Sequence, residues 1–430
     1  MRKHLNQFLC SLLLAVCTLT LAYGQASPTV KPESVGLSSE RLQRINQLVE
    51  SKIKDDKLVG AITLVARRGK VVHFETAGQA DAENNKPLKR DALFRIYSMT
   101  KPITTVAAMM LYEEGKFQLD DPVARYLPEF KDVQVYGEGG ALVKPKRPIS
   151  IRDLMSHTSG FTYGFFSDTP VDRQYRAANL MSGEITLAEF TKKLATLPLL
   201  FHPGEQWQYG VNTDVLGRLV EVLSGLTLDE FMRQRIFKPL GMKDTAFDVP
   251  ADKLDRFTVN YQWGLSPFAM GEVTGKRVVA DHPSKSRYAS PAKFYSGGGG
   301  LVSTAQDYLR FCQMMLNGGT LDGVRLLSPK TVQLMTMDHT AHAQKPAGGL
   351  VGRGSGFGLG VQVVTDLADQ QRLGSVGTYD WAGAASTSFF IDPKEQLIAI
   401  MMTQKFPADF RLMTEFRTAV YQAIIESKEH

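Results

Sequence analysis

The chain has 430 residues, of which 43% are hydrophobic and 22% are charged. These proportions are ordinary for a globular protein with a substantial core, and the length predicts two or three structural lobes or one interrupted domain. The formal net charge is +6, and removing Arg2 and Lys3, which lie in a segment that we expect to be cleaved, leaves +4. Because this charge is small and no basic run is interleaved with aromatic residues, the sequence gives no argument for nucleic acid as a partner, and none is expected.

Residues 1–24 have the features of a secretory signal. Arg2 and Lys3 give a positive start, residues 8–21 an apolar middle, and residues 22–24 a small-x-small exit. The apolar run is too short for a spanning helix, so no stable membrane insertion is expected after cleavage. We therefore predict a bacterial protein of the periplasm or the medium, with residues 25–430 as the mature chain.

The cysteines fit an exported chain without disulfides. Cys10 and Cys17 lie in the signal, so only Cys312 remains and no intramolecular disulfide can form. Cys17 follows residues 14–16 in an imperfect lipoprotein box, where the valine directly before the cysteine counts against lipidation. The sequence leaves open whether Cys17 is lipidated.

The first elements of the mature chain are a helix and a pair of strands. The helix begins near Ser39 and has apolar residues spaced for one buried face. These residues are Leu42, Ile45, Leu48, Val49 and Ile53. Strands are predicted over residues 60–66 and 70–76, with a turn between them.

Residues 94–111 predict a short apolar segment followed by a helix that begins at Ser98. Lys101 lies three positions later on the same helix face, so its amine can meet the Ser98 hydroxyl. A helix N-terminus favours developing negative charge, which helps a serine act as a nucleophile. This S-x-x-K spacing is typical of a serine that is acylated with help from a lysine.

The alternative without a catalytic role is that Ser98 caps the helix and Lys101 is a solvated surface residue. The same spacing occurs in Ser51-x-x-Lys54 and in Ser290-x-x-Lys293, so S-x-x-K arises in this chain by accident as well. Support for Ser98 must therefore come from the rest of the chain.

Residues 118–287 are rich in loops and helices and lack strong strand alternation. His157 is the most tempting general base, but it adjoins a Thr-Ser-Gly turn and is better explained as a buried histidine that ties this turn to neighbouring backbone. Tyr209 lies just before a helix with periodic apolar residues. Its purely structural interpretation is a half-buried aromatic side chain that anchors a loop. No G-x-S-x-G sequence supports an α/β-hydrolase triad.

The C-terminal part returns to strands. Four glycines at residues 297–300 permit close backbone approach, and a helix follows over residues 305–317. Strands are predicted over residues 358–365, 371–376, 384–391 and 396–403, and a helix over residues 409–426. The simplest fold that fits these elements is a sheet formed by strands from both ends of the chain. Without an H-E-x-x-H sequence or paired cysteines, no metal or cofactor is expected.

In these features the chain resembles the penicillin-recognising serine hydrolases, above all class C β-lactamases and the related family VIII carboxylesterases. The resemblance covers nearly the whole mature chain. The motifs that carry it are Ser98-Met99-Thr100-Lys101, the Leu154 to Gly160 turn, Pro203-Gly204-Glu205-x-Trp207-x-Tyr209, Leu240-Gly241-Met242, the Gly297 to Thr304 stretch and Trp381-Ala382-Gly383 before Phe390-Ile391-Asp392-Pro393.

The resemblance implies an α/β (α+β) fold of the β-lactamase and DD-peptidase type. An antiparallel sheet flanked by helices would be formed by residues 30–117 and 291–430, with residues 118–290 inserted as a helical lobe. The active site would lie between the two parts, with Ser98 as nucleophile, Lys101 as its proton partner and Tyr209 as general base.

Two departures from the family pattern matter. The second family motif is Y-x-N, but Asn212 stands one position late after Tyr209, so the asparagine role is not assigned to it. The third motif, K-T-G, is absent, and Trp381-Ala382-Gly383 takes its place as the W-x-G seen in family VIII esterases. The resemblance then implies that Trp381 and Gly383 contact substrate and that the Ser98 and Ala384 N–H groups form the oxyanion hole.

We therefore expect a serine hydrolase that cleaves small neutral carboxylic esters through a covalent acyl-serine intermediate. Trp381 offers an apolar face where a lysine would meet a substrate carboxylate; alternatively, Trp381 is a core aromatic and Arg353 meets the carboxylate. A β-lactamase, a D-alanyl carboxypeptidase or an acyltransferase of the same fold is the first alternative. A non-catalytic protein that binds peptidoglycan or a partner is the second. The oligomeric state stays open.

Overall fold

The computed structural model describes residues 29–264, 275–345 and 350–427. The predicted signal, residues 1–24, lies outside the described residues. In the described ranges, no helix has the length and apolar character needed to cross a membrane.

The centre of the protein is one eight-stranded sheet. Its strands are β1 (Gly60–Arg67), β2 (Lys70–Asp81), β3 (Lys86–Pro87), β4 (Ser355–Phe357), β5 (Gln362–Val364), β6 (Tyr379–Ala382), β7 (Ser388–Asp392) and β8 (Leu397–Thr403). Their spatial order is β4-β5-β6-β7-β8-β1-β2-β3, and every neighbouring pair is antiparallel. Because β1 pairs with β8, the two ends of the chain form one sheet, which confirms the predicted antiparallel α/β fold.

Helices cover both faces of this sheet and form a separate layer beside it. They are α1 (Ser39–Lys54), α2 (Thr100–Glu113), α3 (Ile151–Ser156), α4 (Pro170–Ala178), α5 (Leu187–Leu194), α6 (Asn212–Ser224), α7 (Leu228–Met232), α8 (Lys238–Leu240), α9 (Ala305–Leu316), α10 (Pro329–Met335), α11 (Leu367–Gln370) and α12 (Phe410–Tyr421). A π-helical turn, Arg233–Phe237, joins α7 to α8.

Strand β1 is buried along its whole length because both faces of the sheet are covered. Ile62 and Leu64 face the larger core, which includes α2 and α9. Ala61 and Val65 face a second core formed by α1 and α12. The near-continuous apolar run of this strand follows from that double burial.

Two small sheets lie near the segment around Ser98. Phe94–Arg95 pairs with Val302–Ser303, which brings the chain before Ser98 against the glycine-rich stretch. Asn260–Trp263 pairs with Arg277–Asp281 and, in parallel, with Lys405–Phe406. Strands therefore occur inside residues 118–290, where the sequence showed no strong alternation.

Three predicted C-terminal strands differ from the observed ones. Residues 371–376 form no strand, because the apolar side chains that suggested one, Leu373 and Val376, are exposed at 48% and 44%. Residues 358–365 contain the turn of a hairpin at Gly360, which has a φ of 85°. The strand predicted from Ala384 begins at Ser388, since residues 383–387 form a turn closed by the Gly383 N–H on the Thr387 oxygen.

Candidate active site

Ser98 lies in a tight turn that leads into α2. A 3₁₀ turn, Tyr97–Met99, precedes the helix, and Tyr97 has a φ of 42°, which is rare for an aromatic residue. Tertiary hydrogen bonds hold this conformation: the Ile96 N–H donates to the Leu301 oxygen at 3.1 Å, and the Tyr308 hydroxyl donates to the Met99 oxygen at 2.9 Å. The turn presents the half-buried Ser98 side chain to a cavity.

Lys101 is fully buried beneath Ser98. Its Nζ lies 3.1 Å from Ser98 Oγ, 3.0 Å from the Tyr163 hydroxyl and 2.6 Å from the Gly298 oxygen. Burial lowers the pKa of Lys101 to about 7, against an opposing effect of the Asp214 carboxylate. In the neutral amine, two N–H groups serve Tyr163 and Gly298, and the lone pair can accept the Ser98 proton.

Tyr209 is buried beside the same pair. Its hydroxyl accepts a hydrogen bond from Trp381 Nε1 at 3.3 Å, and Lys101 Nζ lies 4.6 Å from its ring centroid. Burial raises the pKa of Tyr209, while hydrogen bonds with Ser98 and Trp381 act in the opposite direction. The phenol is therefore protonated at neutral pH and can give a proton to a leaving group. Lys101, with its lowered pKa, is then the group that can accept the Ser98 proton, which differs from the general-base role that the resemblance implies for Tyr209.

Trp381 and Gly383 hold the other wall of the site. Trp381 is buried with its ring 5.3 Å from that of Tyr209, and its indole N–H orients Tyr209 because it donates to the Tyr209 hydroxyl. A Cβ on Gly383 would lie 2.5 Å from the Ile96 oxygen, so only glycine lets the turn after β6 come this close to the segment before Ser98. In the described part of the chain the Ala384 N–H donates no hydrogen bond, which leaves it available as an oxyanion donor.

Three residues of the site were missed by the sequence analysis. Tyr163 and the Gly298 carbonyl bind Lys101 directly. Asp214 is buried at the start of α6, where it accepts from Ser296 Oγ at 2.5 Å and from the Gly298 N–H at 3.0 Å. The four-glycine stretch was the sequence signal that could have revealed these contacts. Glycine is needed there because a Cβ on Gly298 would lie 2.5 Å from Asp214 Oδ2.

His157 is a buried turn residue, as predicted, although its partner is a side chain rather than backbone. Its Nδ1 lies 2.9 Å from Nδ2 of Asn212, and burial lowers its pKa well below the usual value. Asn212 also accepts a hydrogen bond from Ser159. Both polar groups of Asn212 are thus engaged away from Lys101, in agreement with leaving the asparagine role unassigned.

The candidate residues share one cavity of about 770 Å³, within the usual range of small-molecule sites. Ser98, Tyr209, Trp381, Gly383 and Ala384 line it, and Lys101 lies directly behind Ser98. Among the described residues, no group of three or more His, Cys, Asp and Glu side chains is arranged to hold a metal ion. The arrangement can carry out acyl transfer to a serine.

The pH dependence should report Lys101. Below its pKa of about 7 the charged amine cannot accept the Ser98 proton, and above it the neutral amine can, so kcat/KM for a neutral ester should rise with pH through about 7. Asp214→Asn removes a charge that raises the pKa of Lys101, so this limb should move to lower pH. A rate that stays flat between about pH 5 and 9 would contradict this assignment.

Gly383→Ala should reduce activity by moving the turn away from Ser98. We expect kcat/KM to fall at least about 10-fold, because a displacement near 1 Å is costly in a preorganised site. Gly352→Ala is the matched control, since Gly352 lines the same cavity and its added Cβ would contact nothing within 4 Å. Equal activity of the two variants would show that close approach at residue 383 is unimportant.

Comparison with known proteins agrees with this geometry. The sequence model of the Beta-lactamase family matches residues 45–422, so the chain belongs to the Beta-lactamase family. It is 40% identical over 361 residues to Protein Rv1367c of Mycobacterium tuberculosis, covering 81% of this chain and 86% of that one. It is 31% identical over 388 residues to Esterase EstB of Burkholderia gladioli, covering 87% and 93%.

A solved structure gives the same result. EstCE1, described as a hydrolase with promiscuous acyltransferase activity, superposes with a TM-score of 0.75 at 30% identity, covering 89% of this chain and 99% of that one. The protein is thus a β-lactamase-related serine hydrolase by family and fold, as the sequence motifs predicted.

Proposed function

We propose that the protein is a serine esterase that cleaves small carboxylic esters, neutral around the scissile bond, through a covalent acyl-serine intermediate. The observation that carries the proposal is Lys101 Nζ, fully buried with a pKa lowered to about 7 and 3.1 Å from Ser98 Oγ at the wall of the cavity. The relative named Esterase EstB supports ester hydrolysis, and EstCE1, described as a hydrolase with promiscuous acyltransferase activity, supports the transfer of an acyl group.

The reaction begins when neutral Lys101 accepts the Ser98 proton and Ser98 Oγ attacks the ester carbonyl. The Ser98 and Ala384 N–H groups stabilise the oxyanion. Tyr209 donates its proton to the leaving alcohol, and the proton that Lys101 took from Ser98 restores the phenol; Lys101 Nζ lies 4.6 Å from the centroid of the Tyr209 ring. Water then attacks the acyl-serine by the reverse sequence and releases the acid. Because these three side chains occur together at one cavity, a purely binding role is disfavoured.

The third motif favours esters over β-lactams. Trp381 has no positive charge, and its N–H is already used by Tyr209, so a substrate carboxylate beside it would be desolvated without a cationic partner. Arg353, the cation that the sequence suggested for this role, is paired with Asp369 at 2.8 Å.

We therefore expect kcat/KM for p-nitrophenyl butyrate to exceed that for nitrocefin by at least about 10-fold, the scale of a missing charge-assisted contact. Steady-state assays of the purified mature protein test this expectation. A protein that hydrolyses nitrocefin faster than every neutral ester would instead be a β-lactamase.

We also propose that the enzyme works in the bacterial periplasm or outside the cell on a small-molecule ester. Support for this address is the signal-like sequence of residues 1–24, which lies outside the described residues. Fractionation of cells that express the full chain tests it.

A further inference from the structure

The charged side chains that line the active-site cavity include more positive than negative groups. The described lining contains four arginines and two aspartates, namely Arg287, Arg353, Arg372, Arg417, Asp369 and Asp380. Each aspartate already has a partner: Asp369 pairs with Arg353 at 2.8 Å, and Asp380 with Arg417 at 3.0 Å. The cavity therefore has an excess of positive charge, which favours an anionic ligand.

Arg287 is the cation of this excess that is anchored to the floor of the cavity that Ser98 also lines. In the described part of the chain it has no ion pair, and Asp281, the carboxylate that influences it most, is bound to Arg95 at 2.6 Å. Arg372, by contrast, lies near the Asp380–Arg417 pair and borders a second, shallow depression away from Ser98.

The guanidinium of Arg287 is held in place yet exposed. It donates to the Tyr288 hydroxyl at 3.2 Å, and its central carbon lies 5.0 Å from the Tyr288 ring centroid. Tyr288 is buried, and its hydroxyl donates to the Gly299 oxygen at 3.4 Å. Gly299 follows Gly298, whose oxygen binds Lys101, so Arg287 is fixed to the segment that forms the floor of the active site.

The position of Arg287 relative to Tyr209 indicates which half of the ester faces Arg287. Tyr209, the proton donor to the leaving alcohol, packs against Trp381 and Phe166. Arg287 belongs instead to the Tyr288–Gly299 side, next to Tyr97. With the acyl half of the substrate assigned to this side, an anion bound by Arg287 belongs to the acyl group.

We propose that Arg287 binds a carboxylate at the far end of the acyl group, so that the preferred substrates are monoesters of short dicarboxylic acids. The planar guanidinium suits a carboxylate because it can donate two parallel hydrogen bonds. The inference rests on the proposed esterase function and narrows it to one class of ester. The substrate is apolar near the scissile bond, where it meets Trp381, and carries its negative charge at the far end of the acyl group.

A matched pair of substrates tests this. The mono-4-nitrophenyl ester of glutaric acid and 4-nitrophenyl pentanoate share the leaving group and the acyl length and differ by the terminal carboxylate. Wild type should prefer the glutarate ester by about 10-fold in kcat/KM, the worth of one charge-assisted hydrogen bond. Arg287→Ala should lose that preference through KM and leave pentanoate hydrolysis within about twofold.

Controls separate this inference from the proposed function. Arg287→Lys should keep part of the preference, and Arg353→Ala should keep all of it. Glutarate should inhibit pentanoate hydrolysis competitively in wild type but not in Arg287→Ala. If Arg287→Ala slows both esters equally or neither, or if Arg353→Ala abolishes the preference, the inference is wrong while esterase activity at Ser98 stands. If wild type cleaves neither ester, the proposed function fails first.

Discussion

Ser98→Ala should lose at least about 10⁴-fold of the turnover of p-nitrophenyl butyrate while the protein folds normally. The substitution removes the serine hydroxyl that Lys101 Nζ contacts at 3.1 Å on the cavity wall, and with it the atom that becomes acylated. The half-buried side chain is small, so its loss should leave the melting temperature nearly unchanged. Steady-state kinetics together with thermal unfolding measures both outcomes.

Two other serines with the same spacing provide the control. Ser51 and Ser290 are each followed three residues later by a lysine, and both are exposed. Ser51→Ala and Ser290→Ala should keep wild-type kcat. If Ser98→Ala keeps wild-type kcat instead, the proposed mechanism is wrong.

Lys101→Ala and Tyr209→Phe should each lower kcat by at least about 10²-fold, the usual contribution of general acid–base catalysis. Lys101→Ala removes the proton acceptor, and Tyr209→Phe removes only the hydroxyl that receives the Trp381 hydrogen bond. Because the two groups pass one proton between Ser98 and the leaving alcohol, the double variant should be little slower than either single one.

Single-turnover and steady-state rates of the three variants measure this coupling. Tyr163→Phe is the matched control for losing a phenol beside Lys101, since Tyr163 also contacts Nζ, at 3.0 Å, but does not contact Trp381 through its hydroxyl. Tyr163→Phe should lower kcat less than Tyr209→Phe does. Losses that add in the double variant would show that Lys101 and Tyr209 act separately.

Local spacing made part of the candidate site predictable. A helix places residues three apart on one face, so Ser98 and Lys101 could be paired from the sequence, and the structure brings them to 3.1 Å. Tyr209 and Trp381 were identified through their motifs. The hydrogen bond between them could not be predicted, because it joins residues 172 positions apart.

The missed residues act through features that a residue pattern does not show. Gly298 contributes a backbone oxygen, and Tyr163 lies 62 positions from the lysine that it contacts. Asp214 is a buried carboxylate near Lys101, and nothing in an apolar-periodic helix distinguishes it from an ordinary first-turn acid. Three-dimensional packing, not local preference, assembles these groups.

The sheet was predicted from the same local signals with mixed success. Strand β1 and strand β8 were found because an unbroken apolar run is buried on both faces. The strand predicted over residues 371–376 was wrong because apolar residues in a loop, such as Leu373, carry the same composition without the burial. The turn at residues 383–387 was missed since its geometry depends on contact with Ile96.

Labelling with a fluorophosphonate tests the central claim most directly. The probe transfers its phosphonyl group to an activated serine, and intact-mass measurement followed by peptide mapping locates it. We expect one equivalent on Ser98, none on Ser51 or Ser290, and none in the folded Ser98→Ala protein. A folded wild-type protein that takes up no label, or takes it up on another serine, would contradict the account.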